Sequence, residues 1–461
     1  MGLVTQGAWF WQEEKGSKLN RTVKSAIAMT AVAAMSLGAL AACGSSSSSS
    51  EAAGKVYYLN FKPEVASEWK KLAADYTKQT KVKVTVQTAA SDTYDQQLKS
   101  EMAKTNAPTL FQVNGPVGYA NWKDYTADLS NTDIYNELQN KNVALKDGSK
   151  VVSVPYVMET YGIIYNKDLL NKYVKLSGAK VASIDQINSF DKLKAVADDI
   201  QARKTELGVK GAFTSAGFDS SSDWRFKTHL ANLPLYYELK KDNITKQPAT
   251  VKGTYLSEYK NVFDMYLTDS TTNRTLLSSK TGDDATSEFA LGQAVFYQNG
   301  TWAWSDLQKA GMKSSSIGMM PIYFGVNDTS EGLATGSENY WCINSKASEA
   351  DQKATAAFLK WVITSKTGKD MLSQTMGFTT PFKTFSDETS ANPLTEAAVA
   401  DQKSGKTQVS WNFTLMPSEQ WKNNLGNALL EYAQGTGKWD GVKTAFVNGW
   451  ATEYKAAHES D

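Results

Sequence analysis

The sequence predicts an α/β protein with more than one hydrophobic core. Three observations carry this. From Lys55 onward, strand and helix patterns alternate as βαβαβ. The chain has 461 residues, more than one core organises. Its later segments carry apolar stripes at helical spacing, which adds helices to the sheet begun near the start.

VYYLN (56–60) reads as a strand. In the next segment, 63–80, Val65, Trp69, Leu72, Ala73 and Tyr76 recur at helical offsets, with Pro63 near the helix start. KVKVTVQT (81–88) alternates strictly and predicts a strand; YDQQLKSEMAK predicts a helix, and TLFQV (109–113) a third strand. This order favours a parallel sheet with right-handed crossovers, and such sheets bind ligands beyond the carboxyl ends of their strands. The loop predicted after the third strand, NGPVGYANW, is therefore a site candidate. Further on, SFDKLKAVADDIQARK predicts a helix with Ser189 as N-cap. A long apolar stripe predicts another over 351–375. Gly435-Thr436-Gly437 splits a final pair of helices.

The N-terminus has a different character. Lys18, Arg21 and Lys24 precede an apolar run from Ala26 to Ala42, which is short for a membrane span and suits a signal peptide. The run ends in Leu40-Ala41-Ala42-Cys43 and a serine stretch, which resembles a lipobox followed by a tether. The predicted organisation is a signal peptide with lipobox over 1–42, lipidation at Cys43, and a tether over 43–54. Losing residues 1–42 removes four cations and two anions and shifts the formal charge from +1 to −1. No strong field remains to attract nucleic acid. The second cysteine, Cys342, has no partner for a disulfide once Cys43 is lipidated and reads as a buried small hydrophobe.

Enzymatic signatures are sparse. The chain has two histidines, His229 and His458, and lacks a P-loop, an H-E-x-x-H, a G-x-S-x-G elbow and Cys/His metal spacing. No cofactor or metal is expected. Dispersed carboxylates leave a glycosidase open as an alternative.

Two segments carry a resemblance. VPYVMETYGIIYNKDLL (154–170) and FALGQAVFYQNGTWAWSDL (289–307) resemble the signatures of extracellular solute-binding proteins of carbohydrate ABC importers. The similarity is greatest to the maltose-binding branch, and it keeps its order from about residue 55 to the C-terminus. The resemblance implies two α/β lobes joined by a hinge, a ligand cleft between them, and a monomer that delivers oligosaccharide to a membrane permease. It places one lobe at 52–158 plus 341–380 and the other at 159–340 plus 381–461, with crossings near 159, 340 and 380. By position it implies that Glu159 hydrogen-bonds sugar hydroxyls and that Trp302 stacks on a sugar ring. Asn114 falls where the branch has an acidic ligand, and Trp224 and Trp421 fall near further platforms.

The sequence adds Tyr119, Trp122, Trp341 and Trp411 as aromatic candidates, since aromatic faces meet sugar C–H groups well. Trp302 and Trp304 follow a turn predicted at Asn299-Gly300, and there Trp302 is the expected platform and Trp304 the packing residue. The expected location is the outer face of the cell membrane, held by the lipid. A binder of a non-sugar solute in the same fold is the second alternative.

Overall fold

The computed structural model describes residues 54–89, 93–215, 217–219 and 222–459. The expected signal segment, Cys43 and nearly all of the tether lie outside them. Strands β1 (Val56–Asn60), β2 (Val84–Thr88) and β3 (Leu110–Asn114) alternate with helices α1 (Ala66–Thr80) and α2 (Tyr94–Met102) as the sequence predicts. β1 pairs in parallel with both β2 and β3. Helix α1 buries Trp69, Leu72, Ala73 and Tyr76, the predicted stripe, while Val65 is buried in the 3₁₀ turn Pro63–Val65 ahead of it. β2 starts later than the alternation suggests, because Lys81 closes α1 in the left-handed conformation (φ 65°).

Among the described residues, twelve strands form two sheets. The first adds β4 (Leu145–Asp147), β5 (Lys150–Pro155) and β11 (Asn339–Ile343), in the order β2-β1-β3-β11-β5-β4. The second contains β6 (Glu159–Asn166), β7 (Gly211–Phe213), β8 (Ala294–Gly300), β9 (Ile317–Met320), β10 (Glu331–Gly336) and β12 (Thr407–Ser410). Its order is β12-β10-β6-β8-β7, with β9 also on β6. Each sheet has apolar cores on its two faces, so the fold is two α/β lobes.

The chain passes between the lobes three times. The first passage is at 156–158, between β5 and β6, and the second at 337–338, between β10 and β11. The third comes later than residue 380. Phe382 and Phe385 belong to the first lobe's core and Leu394 to the second's, so this boundary falls within 386–393. The expected assignment of 381 onward to the second lobe is corrected accordingly: an irregular loop still buried its phenylalanines in the first lobe.

Helix Phe190–Ala202 starts at Ser189, whose hydroxyl accepts from the Lys192 N–H. The helix predicted over 351–375 is interrupted at Ser365, which ends Glu349–Thr364 and caps the segment after it. Gly435, at φ 79°, separates Glu419–Gln434 from Trp439–His458. Cys342 is a fully buried free thiol. Among the described residues no helix is long and apolar enough to cross a membrane.

Candidate ligand cleft between the lobes

The end of β8 builds the first wall. Asn299 and Gly300 remain in the strand, so the turn expected there forms just after them, as the 3₁₀ turn Thr301–Ala303. Asn299 holds the strand end by donating to the Tyr297 hydroxyl (2.5 Å) and accepting from the Gly300 N–H (2.8 Å). A β-carbon at position 300 would collide with the Trp302 ring, so glycine is what lets this indole fold back over the strand. Trp302 is left half-buried, whereas Trp304 packs with Phe289 and Leu307 in a core of the second lobe.

Trp302 belongs to a cage of rings from separate elements. Tyr161 comes from β6, Trp224 and His229 from the stretch around the π-helix Arg225–Leu230, and Trp411 and Phe413 from the segment after β12. Ring centroids lie 5.5 Å from Trp302 to His229, 5.8 Å to Trp224, 6.0 Å to Tyr161 and 6.4 Å to Trp411. Trp224 and Trp302 are half-buried, and Trp411 is buried.

Polar groups converge on the same place from the hinge. Lys62 lies 2.6 Å from Glu159 and 3.3 Å from Glu64, with its ammonium 5.8 Å from the Trp302 ring centre. Burial alone would lower its pKa, but Glu159 and then Glu64 outweigh that and hold it charged. Burial raises the pKa of Glu159, and Lys62 opposes the rise. Asn339 donates to Glu159 (3.4 Å) and accepts from Gln112 (3.2 Å). Glu338, in the second crossing, makes no hydrogen bond or ion pair among the described residues. Burial, then the repulsion of Glu159, raises it to about 7. A water-sized hollow beneath Trp302 is lined by Glu159, Thr301, Phe378 and Asn392.

The lobes touch around this cleft. The Glu64 carbonyl of the first lobe accepts from Ser305 (3.4 Å) and Lys309 (3.2 Å) of the second. The segment expected as a loop after β3 is in fact helix α3 (Gly115–Trp122), begun by Gly115 at φ 64° and Pro116. Thr414 of the second lobe packs so close that a β-carbon at 115 would lie 2.7 Å from its Cβ. Asn114 ends β3 at this contact, and its buried Oδ1 has no partner.

The sequence candidates thus separate. Trp302 and Trp224 stand together in the cage, and Glu159 and Asn114 border it; the Glu159 carboxylate is already engaged by Lys62 and Asn339. Trp341 does not reach the cleft. It is fully buried in the first lobe, stacked on Tyr156 at 4.3 Å, with its N–H donated to the Tyr58 hydroxyl (3.2 Å). Trp421 is fully buried too, against Phe446 and Trp450, with its N–H on the Phe446 carbonyl (3.0 Å). Both placements are corrected for the same reason: each indole has its face covered and its one donor satisfied. Tyr119 bonds Asp147 (2.8 Å) and Trp122 packs on Phe111 and Tyr125, so neither joins the cage. Lys62, His229 and Glu338 were not singled out from the sequence. The scarcity of histidine was the one available signal, and it pointed at His229 only as a weak catalytic candidate.

Residues 71–400 match the family described as bacterial extracellular solute-binding protein. The chain belongs to this family. No curated protein matches its sequence. Among solved structures, this solute-binding protein is similar to RafE in complex with raffinose, at 19% identity and a TM-score of 0.67, over 87% of this chain and 99% of that one. It is also similar to a sugar transporter protein from Bacillus licheniformis in complex with stachyose (17%, TM-score 0.63, 86% and 100% covered). A third is the GacH receptor of Streptomyces glaucescens, known unliganded and with acarbose (15%, TM-score 0.64, 88% and 99% covered). At these identities the likeness establishes a shared fold, the two-lobe architecture of this solute-binding protein.

Proposed function

We propose that this solute-binding protein captures an oligosaccharide between its lobes and delivers it to the permease of a carbohydrate ABC importer. The observation that carries the reading is the half-buried face of Trp302, set in a cage with Trp224 and Trp411 where the two lobes meet. Sugar rings offer apolar C–H faces to such platforms and hydroxyl rims to the polar groups around them. Asn114 and Glu338 supply polar atoms without partners at the rim, whereas Glu159 acts through its ion pair. Relatives of the same fold hold raffinose, stachyose and acarbose. The Leu40–Cys43 sequence and the serines after it support a lipid anchor on the outer membrane face.

Calorimetry against raffinose, stachyose, maltotriose and xylotriose tests the reading. The expected result is one-to-one binding of a member of the panel, with the sugar recovered unchanged. Hydrolysis would favour a glycosidase, and no binding across the panel would reject the sugar assignment. For the anchor, Cys43→Ala should move the protein from the membrane fraction to the soluble one; a wild-type chain already soluble after signal cleavage would exclude lipidation.

A further inference from the structure

His229 is buried inside the cage. It is 5% exposed. Its ring stacks on Tyr161 at 4.2 Å, and Phe413, Trp411, Trp224 and Trp302 surround it at 4.8, 5.1, 5.3 and 5.5 Å. These contacts are all made by carbon-rich ring surfaces. No hydrogen bond among the described residues engages its ring nitrogens. The hydrogen-bonding capacity of the ring is thus left for water or a ligand, whereas a ring buried for packing alone commonly bonds a protein group. Its backbone adds a second observation. His229 lies in the π-helix Arg225–Leu230, a rare form that is frequent at functional sites.

Burial, and then the charges of Arg225, Lys422 and Lys62, hold its pKa well below the ordinary histidine value. The ring is therefore neutral at physiological pH and offers one N–H donor and one acceptor. A hydroxyl group both donates and accepts, so it matches this pair.

We propose that His229 is a ligand-binding residue of the cleft, hydrogen-bonding a hydroxyl of the bound sugar within the aromatic cage. The proposal rests on the oligosaccharide reading above, and the test separates the two. Raffinose, stachyose, maltotriose and xylotriose are titrated into wild type, His229→Phe and His229→Gln. For the sugar that binds wild type best, His229→Phe should raise the dissociation constant at least tenfold, and His229→Gln, which keeps a donor and an acceptor, should recover part of the loss. Unchanged affinity in His229→Phe overturns the role of His229 and leaves the sugar reading standing. Failure of wild type to bind any of the four removes the sugar reading and this inference with it.

A measurement on unmutated protein guards against misfolding of the variants. Nitrogen-15 spectra of the imidazoles should show His229 shifting on saturation with that sugar while His458, exposed at the end of the last helix, stays fixed. A His229 signal that does not move overturns the proposal.

Discussion

The two lobes each contain a cluster of large rings, and the clusters differ in one respect that decides their roles. In the first lobe Trp69, Tyr156, Trp341 and Phe382 pack face and edge, all fully buried. Trp341 and Tyr156 have hydrogen-bond partners in Tyr58 and Gln112, and the Trp69 N–H alone is left without one. In the second lobe Trp302 and Trp224 keep part of their surface open, and the Tyr161 hydroxyl and the Trp411 N–H lack partners. Aromatic content is similar in both. What separates a packing cluster from a binding cluster is uncovered ring face together with unmet polar edges.

The largest effect should come from the closed cluster. Trp341→Ala removes a fully buried indole that touches four other side chains, and it should cost about 3–5 kcal/mol of stability. Urea melts monitored by circular dichroism provide the check. A loss well below that, combined with weaker sugar binding, would return Trp341 to the cleft.

Lys62 tests the boundary between the clusters, for its ammonium is 5.8 Å from both Trp302 and Phe378. Lys62→Ala leaves Glu159 buried without its cation, which should cost about 3 kcal/mol. Pairing Lys62→Met with Glu159→Gln should recover most of this in the same melts. If the single and double variants are equally unstable, the ion pair is not the cause.

These contrasts also explain how far the sequence could be read. β1, α1, β2, α2 and β3 were legible because each has one buried face and a clean period. Ser189 was legible as a cap because N-capping is a local event. The third crossing was not, since Phe382 and Phe385 sit in irregular chain whose burial depends on Trp341 and on the helix Glu349–Thr364. Trp302 was legible through its motif, but the cage around it was not. Trp224, His229 and Trp411 meet Trp302 only in three dimensions, and no period links them. Trp341 and Trp421 show the converse: composition signals an aromatic residue without saying whether its face is covered.

In the open cluster, Trp302→Ala should act on binding more than on folding. Loss of a central aromatic platform weakens binding by about 2 kcal/mol, or about thirtyfold. The protein should lose less stability than Trp341→Ala does, because part of this ring is already in solvent. Calorimetry and melts on one preparation give both numbers. Wild-type affinity in this variant would return Trp302 to the role of a packing residue.

The smallest effect concerns Glu338, the hinge carboxyl beside the open cluster. Its pKa is raised from 4.5 to about 7, by burial first and Glu159 second, while Lys62 and Lys422 oppose the rise. The folded chain therefore holds a proton that the unfolded chain has released, so the contribution to stability is full below about pH 4.5 and is lost as pH rises to about 7. Glu338→Gln cannot titrate and should abolish this component. Between about pH 4.5 and about pH 8, wild type should lose roughly 1–2 kcal/mol relative to the variant, a figure reduced for the partial exposure of the side chain. Urea melts of both proteins across that range measure the difference directly. Parallel stability curves would mean that Glu338 ionises as an ordinary surface carboxylate, and the polar rim of the cleft would then be charged where this structure makes it half-neutral at physiological pH.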